Sequence, residues 1–131
     1  MTIPSDSDRY VVDSTGWVEY LGNGPKVDRF VAYFETEITL LLPSIVVYEV
    51  HKKLSREQGS ILAMEFLSQA YAFGDRLIPL TLDLAILASQ TSKETGLPMA
   101  DAIIYATAQH YKAQLVTSDS HFANLPGVTL I

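Results

Sequence analysis

Four carboxylates carry the chemistry that this sequence suggests: Asp13, Glu49, Asp101 and Asp119. Asp13 and Asp119 each follow directly after a predicted strand, whereas Glu49 and Asp101 each lie about one turn into a predicted helix. The carboxyl ends of parallel strands, and the helices that follow them, meet at one edge of an α/β sheet, where such folds bind ligands. We therefore expect these four residues, far apart in the chain, to meet in space.

Clustered carboxylates need a counter-charge. Two unit charges about 4 Å apart repel by on the order of 4 kcal/mol at an effective dielectric constant near 20, and without a partner one of them takes up a proton. Mg²⁺ and Mn²⁺ relieve the repulsion, because both are hard cations that prefer oxygen ligands and retain water. The sequence predicts an Mg²⁺ or Mn²⁺ site with Asp13, Asp101 and Asp119 as the closest ligands, and with Glu49 acting through water or on the nucleophile.

Each acid alone also has an ordinary structural explanation. An Asp after a strand is often a turn or cap residue, and Asp101 could complement the dipole of its helix. Glu49 could pair with Lys53, four residues later. The combination favours a site, because Glu49 and Asp101 both stand among apolar neighbours where a carboxylate needs compensation.

Hydroxyl and basic residues accompany the acids. Ser14 and Thr117 could orient a carboxylate or a water; alternatively, Ser14 is a helix cap and Thr117 only a strand former. Lys52, Lys53 and Arg56 follow Glu49 at positions i+3, i+4 and i+7, so they share one helix face with it. That face could guide a phosphate-bearing substrate to the site, or it could simply be solvated.

The composition limits the alternatives. The chain has 131 residues, of which 48% are hydrophobic, and this suits one globular domain. It has no cysteine, which excludes disulfides, thiol catalysis and thiolate-bound zinc. The net charge of −6 argues against a non-specific nucleic-acid binder, unless metal held by the acids meets the phosphates. No signal peptide or spanning segment is evident, so we predict a cytoplasmic protein with a flexible tail over residues 1–9.

Strands and helices alternate along the rest of the chain, which predicts an α/β domain over residues 10–131 with a parallel sheet and helices on both faces. Strands are predicted at 10–12, 38–42, 77–80, 115–117 and 128–131. Helices are predicted from Ser14 as a cap to Leu21, at 25–37, from Ser44 as a cap to Arg56, at 61–73, from Thr81 to Gly96 and from Pro98 to Tyr111. Pro79 indicates that its strand ends there or lies at the sheet edge.

Other α/β domains with acidic pockets fit less well. A phosphate-accepting receiver domain would have paired acids at the first strand and a lysine after a late strand, but no lysine follows Thr117. A phosphatase of the haloacid-dehalogenase kind would have Asp-x-Asp after the first strand, and position 15 is Thr15. The Gly-x-Gly-x-x-Gly turn of dinucleotide-binding folds is absent.

Four segments resemble the motifs of PIN domains. Residues 11–14 (VVDS) and 43–50 (PSIVVYEV) are similar to the first two motifs, which are weak signals alone. Residues 96–108 (GLPMADAIIYATA) and 115–122 (LVTSDSHF) are very similar to the third and fourth, and the Pro-Gly-Val at 126–128 continues as the family does. The likeness covers residues 10–131.

The length and single-domain build resemble the VapC toxins of toxin–antitoxin pairs. That resemblance implies an endoribonuclease that uses Mg²⁺ or Mn²⁺, a homodimer inhibited by a cognate antitoxin, and a parallel sheet of four or five strands. Two alternatives stay open: a non-catalytic binding protein on the PIN fold, and a nuclease that acts in RNA processing or on DNA. Retention of all four acids argues against the binding protein, since a scaffold has no use for their repulsion.

One position departs from the family pattern. Many members have a further Asp two residues after the fourth acid, whereas this chain has His121. His121 could be a metal ligand, a phosphate contact or an ordinary surface residue. We predict that it is not a ligand.

Overall fold

A computed structural model describes residues 9–35 and 38–131. In those ranges the strands are β1 (Arg9–Val12), β2 (Thr39–Pro43), β3 (Leu77–Ile78), β4 (Gln114–Thr117) and β5 (Val128–Leu130). The helices are α1 (Ser14–Leu21), α2 (Val27–Glu35), α3 (Ser44–Glu57), α4 (Ser60–Ala72), α5 (Leu82–Thr95) and α6 (Met99–His110). Short 3₁₀ turns, Gly74–Arg76 and Ser120–Phe122, precede β3 and follow β4. The predicted tail, except for Arg9, and the predicted end of the second helix at 36–37 lie outside the described residues.

All five strands are parallel and lie in the order β3-β2-β1-β4-β5. The predicted α/β domain with a parallel sheet of four or five strands is confirmed. The chain builds outward from β1 through β2 to β3 and then returns to the other side of β1 for β4. The strand order therefore reverses between β1 and β4, where folds of this kind open a crevice at the carboxyl ends. Val12 pairs with Val116 at that point, so the residues that follow them are neighbours at the sheet edge.

The prediction for Pro79 is also confirmed, because β3 is an edge strand that ends at Ile78. Proline has no N–H to donate to a neighbouring strand, so the strand stops before it. The predicted strand 77–80 was therefore two residues too long.

The core lies between the sheet and the helices that flank it. Val46, Val50 and Leu54 recur every four residues along α3 and are fully buried. Residues 102–108 of α6 are buried without interruption, so this helix packs on all sides and holds its first turn firmly at the sheet edge. The Trp17 ring of α1 meets Phe34 and Phe66 edge-on, with ring centroids 4.7 and 5.4 Å apart. None of the described helices is long and apolar enough to cross a membrane.

Two predicted helix caps are wrong. Ser14 is the first residue of α1 rather than its cap, because Asp13 has the extended backbone of an N-cap (φ −73°, ψ 177°) and its side chain accepts from the Gly16 N–H. Ser44 is the first residue of α3, and its hydroxyl accepts from the Leu80 N–H at 3.2 Å instead of capping the helix. In both cases the helix begins one residue earlier than predicted.

A candidate active site of four carboxylates

Asp13 is the buried member of the acidic cluster, with 2% of its surface exposed. Its Oδ1 accepts from Thr15 Oγ1 at 2.6 Å and from Gly16 N at 3.3 Å, and its Oδ2 accepts from Thr117 Oγ1 at 2.7 Å. The pKa of Asp13 is raised: burial, the largest influence, raises it, the three hydrogen bonds lower it, and repulsion from Asp119 raises it. Asp13, Thr15 and Thr117 are called the buried half of the site below.

Thr117 joins the two strands at which the sheet order reverses. Its hydroxyl donates to Asp13 at the end of β1 and accepts from the Asp119 N–H at 2.9 Å. Ser118 Oγ donates to Thr15 Oγ1 at 3.1 Å and extends the same chain of hydroxyls. Thr117 therefore fixes the orientation of Asp13 and the backbone at Asp119 together, which is the supporting role proposed for it from the sequence.

Gly16 allows α1 to start close against β1. A Cβ at this position would collide with the side chains of Val12 and Phe30, both of which are buried. The close approach brings the Gly16 N–H within reach of Asp13. A larger residue would push the first turn of α1 away from the carboxylate.

Asp101 and Asp119 form an open half of the site together with His121. The imidazole Nδ1 of His121 lies 3.1 Å from Asp101 Oδ2 and 3.5 Å from Asp119 Oδ1. The side chains of Asp101, Asp119 and His121 are 16%, 27% and 62% exposed. Burial raises the pKa of Asp101, the hydrogen bond with His121 lowers it, and repulsion from Asp119 raises it.

The structural roles that the sequence also allowed for these acids are present as well. Asp13 caps α1, Asp101 lies in the first turn of α6, and Asp119 Oδ1 accepts from the His121 N–H at 2.9 Å to cap a 3₁₀ turn. The capping contacts fix the backbone at Asp13 and at Asp119. Structural and chemical roles are therefore combined in the same residues.

Glu49 approaches the cluster from α3. Burial raises its pKa, a side-chain hydrogen bond with Ser14 lowers it, and repulsion from Asp101, Asp13 and Asp119 raises it. Its Oε1 is shielded from solvent and has no hydrogen-bond partner among the described residues. Glu49 forms no ion pair with Lys53, because the ion pairs found among the described residues involve other side chains.

The fold brings together all four acids singled out in the sequence. Glu49 is close enough to the other three to be repelled by each of them, and Asp119 also repels Asp13 and Asp101. Ser14 lies against Glu49 rather than Asp13. Thr15 and Ser118 were missed. The signal for Thr15 was local, since this hydroxyl residue lies only two positions after Asp13.

A divalent cation fits these residues. Within the described part of the chain, Asp101, Asp119 and His121 each offer a ligand atom, and these atoms lie within 4.8 Å of one another. A cation would give the unpartnered oxygen of Glu49 a partner and would relieve the repulsion among the acids. The imidazole of His121 stands in the same group as the two carboxylates, and the prediction that it is not a ligand stays a prediction.

The basic residues predicted to guide a substrate lie beside the same site. A cavity of about 200 Å³ is lined by Ser14, Tyr48, Glu49, Lys52, Lys53 and Arg56. Arg56 also lies 3.9 Å from Glu57 at the exposed surface. The helix face of α3 therefore brings cations and one of the four acids into a single opening.

This fold and site define a class of protein. Its members are small α/β domains with a cluster of carboxylates where the strand order reverses. The chain belongs to the PIN domain family, whose sequence model matches residues 10–128. No curated protein matches the chain in a sequence comparison.

Solved structures share the fold over nearly the whole chain. A toxin–antitoxin complex from Klebsiella pneumoniae aligns with a TM-score of 0.73 and 21% identity, over 92% of this chain and 95% of the other. VapBC2 from Rickettsia felis, bound to a DNA fragment from its promoter, aligns with a TM-score of 0.69 and 17% identity, over 94% of this chain and 97% of the other. VapC20 from Mycobacterium tuberculosis, a toxin that cleaves the sarcin-ricin loop, aligns with a TM-score of 0.69 and 17% identity, over 91% of this chain and 96% of the other.

Proposed function

We propose that this chain is a metal-dependent endoribonuclease and the toxin of a toxin–antitoxin pair. The observation that carries the proposal is the meeting of Asp13, Glu49, Asp101 and Asp119 at the point of strand reversal, with the buried Oε1 of Glu49 left without a partner among the described residues. A protein that used these residues only for structure would have to bear their repulsion or protonate one of them.

The cofactor of this proposal is Mg²⁺ or Mn²⁺. Asp101 and Asp119 would hold the ion from the open half, Asp13 would face it from the buried half, and Glu49 would contact it directly or through water. A bound divalent ion supplies a more acidic water and neutralises charge on a phosphodiester during hydrolysis. The oxygen-rich donor set suits these two cations better than soft metals.

The residues of the chain divide the remaining work. Thr15 and Thr117 hold the Asp13 carboxylate in one orientation, and Thr117 also holds the backbone at Asp119. Glu49 has a shielded oxygen that accepts no hydrogen bond from the described residues, and its raised pKa suits a group that takes a proton from the attacking water. The water oxygen then bonds to phosphorus, one P–O ester bond breaks, and the leaving oxygen is protonated from solvent.

RNA would reach the acids along the basic face of α3. The chain as a whole carries −6, so attraction of phosphates must be local. Lys52, Lys53 and Arg56 line the cavity that also contains Glu49. Cytoplasmic RNA is the substrate expected for a toxin of this kind.

Replacing Lys52 and Lys53 together with Ala tests this path. Removing one cation from a phosphate lowers the slope of log affinity against log salt by about 0.7 for single strands. We expect weaker RNA binding and a flatter salt dependence, measured by fluorescence anisotropy, whereas a Lys93→Ala control on α5 should leave both unchanged. An unchanged slope in the double variant would remove Lys52 and Lys53 from the path.

A protein partner would control the enzyme. The solved structures with this fold include a toxin–antitoxin complex, and VapBC and FitAB structures that are bound to DNA. By this likeness we propose a cognate antitoxin that inhibits the site and a homodimer as the toxin's own assembly. Co-expression with the protein encoded next to this gene, followed by size-exclusion chromatography, would test both.

The direct test of the enzyme is cleavage of a mixed RNA pool in Mg²⁺ or Mn²⁺, beside EDTA and beside Asp101→Asn. Removing this carboxylate should reduce cleavage by more than about 100-fold, the upper loss typical of groups that only orient ligands. Asp83→Asn is the matched control, because Asp83 is an exposed acid in the first turn of α5, and it should cut like the unmodified protein. Cleavage that survives EDTA or Asp101→Asn would refute the proposed site.

A further inference from the structure

The cavity beside Glu49 contains an aromatic ring that the proposed hydrolysis does not use. Tyr48 precedes Glu49 on α3 and lines the same cavity of about 200 Å³. Its surface is 59% exposed, although Val46 and Val50 on the same helix are fully buried. The core therefore gains little from this tyrosine, and more than half of its surface is open to a ligand.

Lys52 lies over the same ring. Its Nζ is 5.7 Å from the Tyr48 centroid, and the two residues are one helical turn apart. A cation within about 6 Å of an aromatic face is attracted to the ring electrons. The pair places a flat apolar surface and a positive charge side by side, next to an acid of the proposed site.

We propose that Tyr48 and Lys52 form a nucleotide subsite in which a base stacks on the Tyr48 ring and the neighbouring phosphate meets Lys52. This inference rests on the proposed function and specifies its substrate further. Proteins that bind single strands combine aromatic platforms for bases with cations that follow the backbone. The cavity supplies both elements, because Lys53 and Arg56 continue the positive charge beyond Lys52.

The subsite selects single-stranded RNA or an unpaired loop. A base inside a duplex is already stacked on both faces and cannot lie on a side chain, whereas loops and single strands can splay a base out. A cavity of about 200 Å³ has room for one splayed base, and Tyr48 forms part of its wall. A duplex of the same sequence should therefore bind and react more weakly.

Substitutions at Tyr48 test the stacking directly. Loss of one stacked base weakens single-strand binding by about 5- to 150-fold, so Tyr48→Ala should lose affinity within that range while Tyr48→Phe and Tyr48→Trp keep it. Binding of a labelled single-stranded RNA in EDTA avoids cleavage. Tyr71→Ala is the matched control, because Tyr71 is an 83% exposed tyrosine on α4 that does not line this cavity, and it should bind like the unmodified protein.

Two further readouts separate stacking from general damage. The salt slope of Tyr48→Ala should match that of the unmodified protein, whereas Lys52→Ala should flatten it. In a series of RNAs that each carry one abasic ribose, the abasic ribose should weaken binding at one position only. Tyr48→Ala should abolish the effect at that position. In Mg²⁺ or Mn²⁺, Tyr48→Ala should raise KM with little change in kcat, because the stack holds ground state and transition state equally.

Failure of this inference differs from failure of the proposed function. RNA that is cut and bound by Tyr48→Ala as by the unmodified protein, with no position-specific abasic effect, would overturn the subsite alone. Unmodified protein that neither binds nor cuts RNA would overturn both. Weaker binding of an antitoxin, without weaker binding of RNA, would assign Tyr48 to a protein interface and would equally overturn the subsite.

Discussion

Asp13 and Asp101 belong to one acidic cluster, but the protein surrounds them differently. Asp13 accepts three hydrogen bonds from Thr15, Gly16 and Thr117 and is closed off from solvent. Asp101 keeps part of its surface exposed, and its carboxylate contacts the imidazole of His121, which is itself 62% exposed. The buried half is fixed by the fold, and the open half is left for exchangeable partners.

The comparison indicates how the four acids divide the work. An acid whose lone pairs already accept hydrogen bonds gains less from binding an ion directly, because those bonds would have to be weakened. A carboxylate with free lone pairs gains more. Asp101 and Asp119 are accordingly the strongest candidates for direct ligands, and Asp13 is the residue whose geometry is most tightly controlled.

Among changes that separate the two halves, the largest effect on stability and cleavage is expected from replacing Thr117 in the buried half. Thr117→Val leaves Asp13 Oδ2 and the Asp119 N–H without their partner, which costs about 1–3 kcal/mol of stability for an unsatisfied buried group. Loss of orientation at the acids should reduce cleavage by about 10- to 100-fold. Chemical denaturation and RNA cleavage measure the two effects.

Thr107→Val provides the control for that change. Thr107 is equally buried, but its hydroxyl bonds to the Ile103 carbonyl within α6, away from the acids. Its loss should cost less stability and leave cleavage intact. Equal loss of cleavage in both variants would mean that Thr117 acts through packing rather than through the acids.

A second, smaller effect concerns pH. Burial raises the pKa of Asp13, Glu49 and Asp101, so each binds its proton more tightly in the folded protein than in the unfolded chain. Stability therefore falls as pH rises from the unfolded pKa, near about 4, through the raised folded values. In EDTA, the unmodified protein should lose stability relative to Asp101→Asn as pH rises above about 4.

Divalent metal should reverse that loss. At about 100 times its Kd a ligand specific for the folded state adds about 2.7 kcal/mol, and deprotonated acids bind the ion best near neutral pH. Thermal unfolding with Mn²⁺ or Mg²⁺ against EDTA measures the gain across the pH range. If the difference in stability between the unmodified protein and Asp101→Asn does not change with pH, the repulsion assigned to Asp101 and Asp119 is contradicted.

The open half gives the smallest expected effect, at His121. If the imidazole only occupies the space between Asp101 and Asp119, metal displaces it, and His121→Ala should change Mn²⁺ affinity by less than about tenfold. Isothermal titration calorimetry measures that affinity. A larger loss, together with loss of ¹⁴N coupling in the electron spin echo of bound Mn²⁺, would make His121 a ligand and reverse the prediction made from the sequence.

The fold could be predicted well because its signals are local and repeated. Apolar runs such as 38–42 and 115–117 are typical of parallel strands covered on both faces, and the alternation with helices left few other topologies. The positions of Asp13 and Asp119 just after such runs were enough to place them at one edge of the sheet.

The division into buried and open halves could not be predicted. It depends on which hydroxyls reach which oxygens across 104 residues of sequence, as between Thr117 and Asp13. The caps show the same limit on a smaller scale: Asp13 and Ser14 are both good capping residues, and backbone angles at one position decide between them. Tyr48 carried no sequence signal, because its exposure emerges only once the inner face of α3 is known.

The placement of β1 in the middle of the sheet has a consequence for the protein during its synthesis. During synthesis β1 leaves the ribosome about a hundred residues before its neighbour β4 and the hydroxyl that holds Asp13. Until β4 docks, β1 has one unpaired edge and the acids have no common site. Such distant pairings form slowly, so the four acids come together only after β4 has been made and has docked beside β1.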